Sequence, residues 1–246
     1  MMLEEKQALI GKLKRDLLVW QGVPERSGDE IAMDLGPLEK AFPNGTFPKG
    51  VIHEFVSFSR IDSAASCGFI VGILGKLMRN AGICIWISSV QTVFPSAIST
   101  FGVDPSSIVF VSMQQQKDVL WAMEEALKCP GITAVLAEIH QLDFVQSRRL
   151  QLAVEKSKVT GFILQHNPKL LLATACAARW KVTSLPSQSI EGLPGIGNPC
   201  WNVELLKVRN GTTAKGKIVW TPEGFKILSN KDIESENWNY NYQNLG

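Results

Sequence analysis

A run of strand-forming residues, Val51-Ile52-His53-Glu54-Phe55-Val56, leads into Ser57-Phe58-Ser59-Arg60-Ile61-Asp62-Ser63-Ala64-Ala65-Ser66-Cys67-Gly68. After such a strand, phosphate-handling proteins place a Gly-rich turn ending in Gly-Lys-Ser/Thr, whose backbone N–H groups and lysine surround the anion. Here the one glycine, Gly68, stands at the very end and no Gly-Lys pair occurs. The stretch offers Arg60 as its only cation and a helix start near Ala65 as its only dipole. Ser66 stands near the metal-binding hydroxyl position but lacks the preceding lysine. Residues of these types suit binding better than turnover of a nucleotide.

Two further positions decide whether hydrolysis is expected. A group that orients water belongs just after the second strand-like run, and Trp86-Ile87-Ser88-Ser89-Val90 places Val90 there, which can neither accept a proton nor hold water. A metal-binding carboxylate belongs at the end of Thr133-Ala134-Val135-Leu136, where the chain has Ala137 and then Glu138. Glu138 would reach a metal only if the strand shifted by one residue; otherwise it is a strand-end carboxylate facing solvent. His53, His140 and His166 stand isolated and lack metal-ligand spacing. The five cysteines, Cys67, Cys84, Cys129, Cys176 and Cys200, form no Cys-x-x-Cys pair, and Cys84 and Cys176 sit in apolar runs as core residues. No Gly-x-Ser-x-Gly elbow occurs. No metal or cofactor is expected.

The 246 residues suit a moderate domain with small appendages, and 45% hydrophobic against 20% charged residues is enough apolar material for a proper core. The net charge of +2 hides an asymmetry: Gln146 to Lys226 carries twelve Lys/Arg against four acids. A basic C-terminal third attracts phosphate backbones, although scattered solvated lysines explain it equally. The charged N-terminus is unlike a signal peptide and no apolar run spans a membrane, so a cytoplasmic protein is expected.

Residues 3–20 have the periodicity of an amphipathic helix, and 35–42 that of a short one. Strand-like runs at 51–56, 83–88, 108–111, 133–137 and 161–165 alternate with helical patterns at 68–80, 95–101, 115–128 and 145–158. This alternation predicts an α/β fold with a mostly parallel sheet flanked by helices. Further strands are expected at 170–178 and 180–185, then a Ser/Gly/Pro-rich loop at 186–199. Antiparallel strands follow at 201–209, 217–221 and 225–228, and a polar tail at 229–246. The division is a helix and linker (1–30), a core (31–228) and the tail.

Three stretches resemble RecA-type recombinases: Lys49-Gly50-Val51-Ile52-His53-Glu54-Phe55; Phe101-Gly102-Val103-Asp104-Pro105-Ser106-Ser107-Ile108 with the helix from Asp118; and Glu204-Leu205-Leu206-Lys207-Val208-Arg209-Asn210-Gly211. A narrower resemblance is to the ImuA family. It is carried, in order, by Asp118-Val119-Leu120-Trp121-Ala122-Met123-Glu124-Glu125-Ala126-Leu127, Ala134-Val135-Leu136-Ala137, Arg148-Arg149-Leu150-Gln151-Leu152-Ala153 and Gly161-Phe162-Ile163-Leu164.

That resemblance implies a RecA-like core and a non-catalytic adaptor in damage-induced, error-prone translesion DNA synthesis. The implied partners are an inactive Y-family polymerase homologue and an error-prone C-family polymerase, with RecA and DNA as further contacts. By the same resemblance Arg60, Ser66 and Glu138 are remnants of a nucleotide pocket. Arg209 stands where RecA-family proteins place the first of two cations reaching a neighbouring subunit's nucleotide, and Gly211 takes the second position. Lys181 and the Gly/Pro run after it stand where such proteins carry a DNA-binding loop. Lys207, Arg209, Lys215 and Lys217 face DNA or an acidic partner, or simply form a solvated strand face. A DNA-stimulated ATPase and a SulA-like division inhibitor are the competing readings.

Overall fold

The chain is described by a computed structural model covering residues 6, 9, 13, 32–79, 81–90, 93–188 and 197–228. Most of the expected N-terminal helix lies outside the described residues, although Lys6, Leu9 and Leu13 are helical. The tail at 229–246 and residues 189–196 of the Gly/Pro loop lie outside them as well.

The described residues form one nine-stranded sheet in the order β3-β2-β4-β5-β1-β6-β7-β8-β9. Its strands are β1 (Ile52–Ser57), β2 (Cys84–Ser88), β3 (Ile108–Ser112), β4 (Ala134–Ile139), β5 (Thr160–His166), β6 (Ala178–Gln188), β7 (Asn198–Val208), β8 (Ala214–Thr221) and β9 (Gly224–Ile227). The helices are α1 (Pro37–Lys40), α2 (Arg60–Leu77), α3 (Pro95–Ile98), α4 (Gln116–Leu127) and α5 (Phe144–Ser157). Strands β1 to β5 pair in parallel, and β6 joins β1 in parallel. From β6 onward every pairing is antiparallel, which makes a wing on one side of the sheet.

Each face of the sheet buries its own core. On one, α2 covers Phe55, Trp86, Phe162 and Trp180. On the other, α4 and α5 bring Val119, Met123 and Leu150 onto Ile52, Val135 and Ile163. Helix α4 buries one stripe, Val119, Met123, Ala126 and Leu127, because its other side stays in water. Helix α2 shows none: from Phe69 to Leu77 every residue is buried. A helix apolar all round is one enclosed on all sides. Gly72 allows that enclosure, since a Cβ there would lie 2.6 Å from the Phe225 ring.

The parallel strands follow the sequence pattern, and three expectations are corrected. Helix α2 begins at Arg60, not near Ala65 or Gly68. Its N-cap is Ser59, whose Oγ accepts the Asp62 backbone N–H at 3.0 Å. Residues 170–177 form no strand; they run back irregularly along the α5 face of the sheet from its carboxyl end to its amino end, with Ala177 N–H donating to Ile52 O at 2.9 Å. And β6 does not stop at Leu185 but continues to Gln188.

Candidate functional site

In open α/β sheets ligands sit beyond the carboxyl ends of the parallel strands. Here that edge carries the β1–α2 connection, which is only Phe58 and Ser59. A phosphate-cradling loop of the Gly-x-x-x-x-Gly-Lys-Ser/Thr form is several residues longer, so its ring of inward N–H groups has no backbone to form it. The early start of α2 has absorbed the residues that would have been loop. Arg60 becomes the first residue of that helix and is exposed. Ser66 lies a turn and a half into it, fully buried, with its Oγ 2.9 Å from Ser57 Oγ.

Glu138 is not a strand-end carboxylate in solvent. Strand β4 runs one residue past it to Ile139, and Glu138 is 9% exposed. The Trp86 indole N–H donates to its Oε1 at 2.7 Å, and His166 Nε2 donates to its Oε2 at 2.7 Å. With Nε2 carrying the proton, His166 Nδ1 accepts from the Ser63 hydroxyl at 2.9 Å. His166 is therefore not isolated: Trp86, Glu138, His166 and Ser63 form one chain of bonds from β2 across β4 and β5 to the first turn of α2. Among the described residues no hydrogen bond or ion pair joins Arg60, Ser66 and Glu138 to one another. Burial, reinforced by the nearby Glu138 charge, pushes the Cys67 thiol up, so this cysteine stays protonated and inert beside the chain. His140 is exposed, with Nδ1 3.3 Å from His166 O. Val90 stands exposed past the end of β2.

A second buried polar cluster lies on the α5 side of β1. Glu54 is fully buried and accepts from Gln165 Nε2 (2.5 Å), Thr174 Oγ1 (2.7 Å), Arg179 Nε (2.9 Å) and Arg179 Nη2 (3.1 Å). Arg179 also donates to Leu172 O at 2.5 Å, and Lys207 Nζ donates to Thr174 O at 2.5 Å. A buried carboxylate with every partner supplied by the chain ties residues 172–174 to the sheet. Lys207 thus spends its ammonium on the chain itself.

The other expected contact residues separate. Lys181 is not on a loop: it lies inside β6, opposite Glu204 of β7, with Nζ 3.9 Å from Glu204 Oε1. Lys215 of β8 stands opposite the same Glu204, and Lys217 opposite Asn202. Burial draws the Arg209 guanidinium down, opposed by the Glu155 carboxylate and assisted by Arg148, which places it near α5. A Cβ at Gly211 would lie 2.3 Å from Ala41 O and 2.6 Å from Val208 Cγ1. No side chain fits there, which explains physically why a second cation is missing.

The resemblance read from the sequence is matched by comparison with known proteins. Two curated proteins described as Protein ImuA, from two strains of Caulobacter vibrioides, are each 28% identical to the chain over 186 residues, covering 71% of this chain and 76% of theirs. The crystal structure of the RadB recombinase superposes with a TM-score of 0.54 at 12% identity, covering 78% of this chain and 97% of that one, a likeness that establishes a RecA-like fold. No family model matches the chain.

Proposed function

We propose that this relative of Protein ImuA, folded like a recombinase, is a non-catalytic adaptor in damage-induced, error-prone translesion DNA synthesis. One observation carries the non-catalytic part. Where nucleotide phosphates would be received, the strand-to-helix connection is two residues long, and Glu138 already accepts from Trp86 and His166. Phosphoryl transfer depends on backbone N–H groups, a cation and a metal-holding carboxylate aimed at the nucleotide. The carboxylate at this edge is aimed at the protein's own side chains.

The adaptor part rests on kinship with Protein ImuA. In this reading the chain works in the cytoplasm beside an inactive Y-family polymerase homologue and an error-prone C-family polymerase, and touches RecA. The wing supplies a DNA contact, with Lys181, Lys215 and Lys217 along β6 and β8. Phosphate contacts of this kind give weak, sequence-independent and salt-sensitive binding.

The test is affinity purification of the tagged chain from DNA-damaged cells, with ATP turnover measured on the same preparation. Co-purification of both polymerase-type partners with no turnover is the expected result. Turnover that rises on adding DNA would favour the ATPase reading, and capture of a tubulin-like division protein would favour the division inhibitor.

A further inference from the structure

Ser63, His166 and Glu138 stand in the order of a nucleophile, a base and a carboxylate that holds the base. The Ser63 hydroxyl donates to His166 Nδ1 at 2.9 Å, and His166 Nε2 donates to Glu138 Oε2 at 2.7 Å. A serine is activated when a base within hydrogen-bond reach is itself oriented by a third group, whatever their order in the chain. Exposure is graded along the same line. Ser63 is half-buried, the His166 side chain is 28% exposed and that of Glu138 only 8%. A dissolved molecule can therefore reach the hydroxyl while the carboxylate is kept from water. The Trp86 N–H on Oε1 fixes that carboxylate from its other oxygen.

The topology explains why the three meet. Strand β5 borders both β4 and β1, and α2 follows β1. Glu138, His166 and Ser63 thus come together at the carboxyl end of the parallel strands, where open α/β sheets hold their ligands. Ser66, one turn further along α2, has no such setting: it is fully buried and bonded to Ser57 instead of an imidazole.

We propose that Ser63 is the nucleophile of an ester-cleaving site, with His166 as its general base and Glu138 as the positioning residue. This activity goes beyond the adaptor reading, which excludes nucleotide turnover and no other chemistry. Ser63 Oγ bonds to the ester carbonyl carbon as its proton passes to His166 Nδ1. The bond from that carbon to the alcohol oxygen then breaks, and the alcohol leaves with the proton. Water attacks the acyl-serine carbon while Nδ1 takes its proton; the acid departs and Ser63 Oγ recovers the proton from Nδ1. Charge on the carbonyl oxygen meets the positive end of the 18-residue α2, whose first turn holds Ser63, and Arg60 one turn earlier on the same face. Asp62 adjoins Ser63 and opposes both. So modest a stabilisation selects esters with readily departing alcohols over amides. Phe58 and Ile61, 44% and 68% exposed beside this turn, favour an uncharged acyl group.

The test uses the purified full chain. It is treated with a fluorophosphonate, which phosphonylates activated serines, and the labelled position is mapped by mass spectrometry; hydrolysis of p-nitrophenyl butyrate is followed in parallel. Label on Ser63 and hydrolysis that saturates with ester concentration are expected. Ser63→Ala removes one half-buried hydroxyl, and it should lose both signals with an unchanged urea midpoint. Glu138→Gln separates positioning from folding: with its amide donating to Nε2, the ring proton moves to Nδ1, and His166 can no longer take a proton from Ser63. Hydrolysis by that variant should fall at least about 100-fold while the protein stays folded. Absence of label at Ser63, hydrolysis undiminished in Ser63→Ala, a rate that never saturates, or a Glu138→Gln protein as active as wild type would each overturn the proposal. None of these results bears on the adaptor reading, which co-purification of partners tests.

Discussion

Replacing Glu138 separates a structural carboxylate from one kept to hold a metal. In Glu138→Ala the Trp86 N–H, on a side chain 1% exposed, loses its acceptor and has no water to turn to. His166 loses its partner as well, but it is partly exposed and can be hydrated. One charge-assisted bond and one orphaned buried donor together cost about 2–4 kcal/mol. For a domain of this size that lowers the melting temperature by roughly 5–15 °C. Glu138→Gln keeps an oxygen for the indole, and its amide donates to His166 Nε2 once the ring proton moves to Nδ1 and donates to Ser63. That variant is expected to lose less than about 1 kcal/mol. Urea denaturation followed by Trp fluorescence measures both. A Glu138→Ala protein as stable as wild type would refute the reasoning, as would a Glu138→Gln protein damaged as badly as Glu138→Ala.

Three other outcomes follow from the geometry. His53 accepts the Trp180 N–H on Nδ1 at 3.2 Å and donates to Pro48 O from Nε2 at 2.8 Å, and burial pushes its pKa from 6.5 down to about 4. Below pH 6.5 the unfolded chain takes up a proton that the folded ring refuses, so stability falls by about 2 kcal/mol between pH 7 and 4.5; His53→Gln should lack that increment in paired urea titrations. Gly211→Lys, which puts a cation at the second position, drives a Cβ into Ala41 O; it should lower the urea midpoint by the equivalent of at least about 1 kcal/mol and create no nucleotide binding. If the wing holds DNA, Lys215→Glu/Lys217→Glu should weaken binding to any sequence, and the slope of log affinity against log salt should drop by roughly 1 for each phosphate no longer neutralised. A filter-binding series across salt concentrations with an unchanged slope would remove the wing as a DNA-binding surface.

The parallel core was legible because strands buried on both faces read as apolar runs, and Phe144–Ser157 announces its start through Asp143 and Gln146. Helix α2 was misplaced because its first turn, Arg60-Ile61-Asp62-Ser63, is polar at three of four positions and resembles loop. The cap was nonetheless present in the sequence as Ser59 followed three residues later by Asp62. Ile139, an apolar residue after Glu138, was a similar sign that β4 continued past the carboxylate. The Glu138–His166–Ser63 chain had no such sign. Its members lie 28 and 103 residues apart and meet only because β5 neighbours β4 and its end faces the start of α2. Lys181 drew two expectations, a strand from the run 180–185 and a DNA-binding loop from the resemblance, and the strand is the one found.

Whether the carboxyl edge receives a nucleotide decides between an adaptor and a motor. Isothermal titration of the full chain with Mg·ATP and with a non-hydrolysable analogue, up to millimolar concentration and with single-stranded DNA present and absent, measures this directly. No saturable heat in any of the four titrations is the expected result. Saturable binding in any of them would contradict it, most directly if Glu138→Gln abolished that binding without altering the urea midpoint, because the carboxylate would then be holding a metal instead of Trp86 and His166.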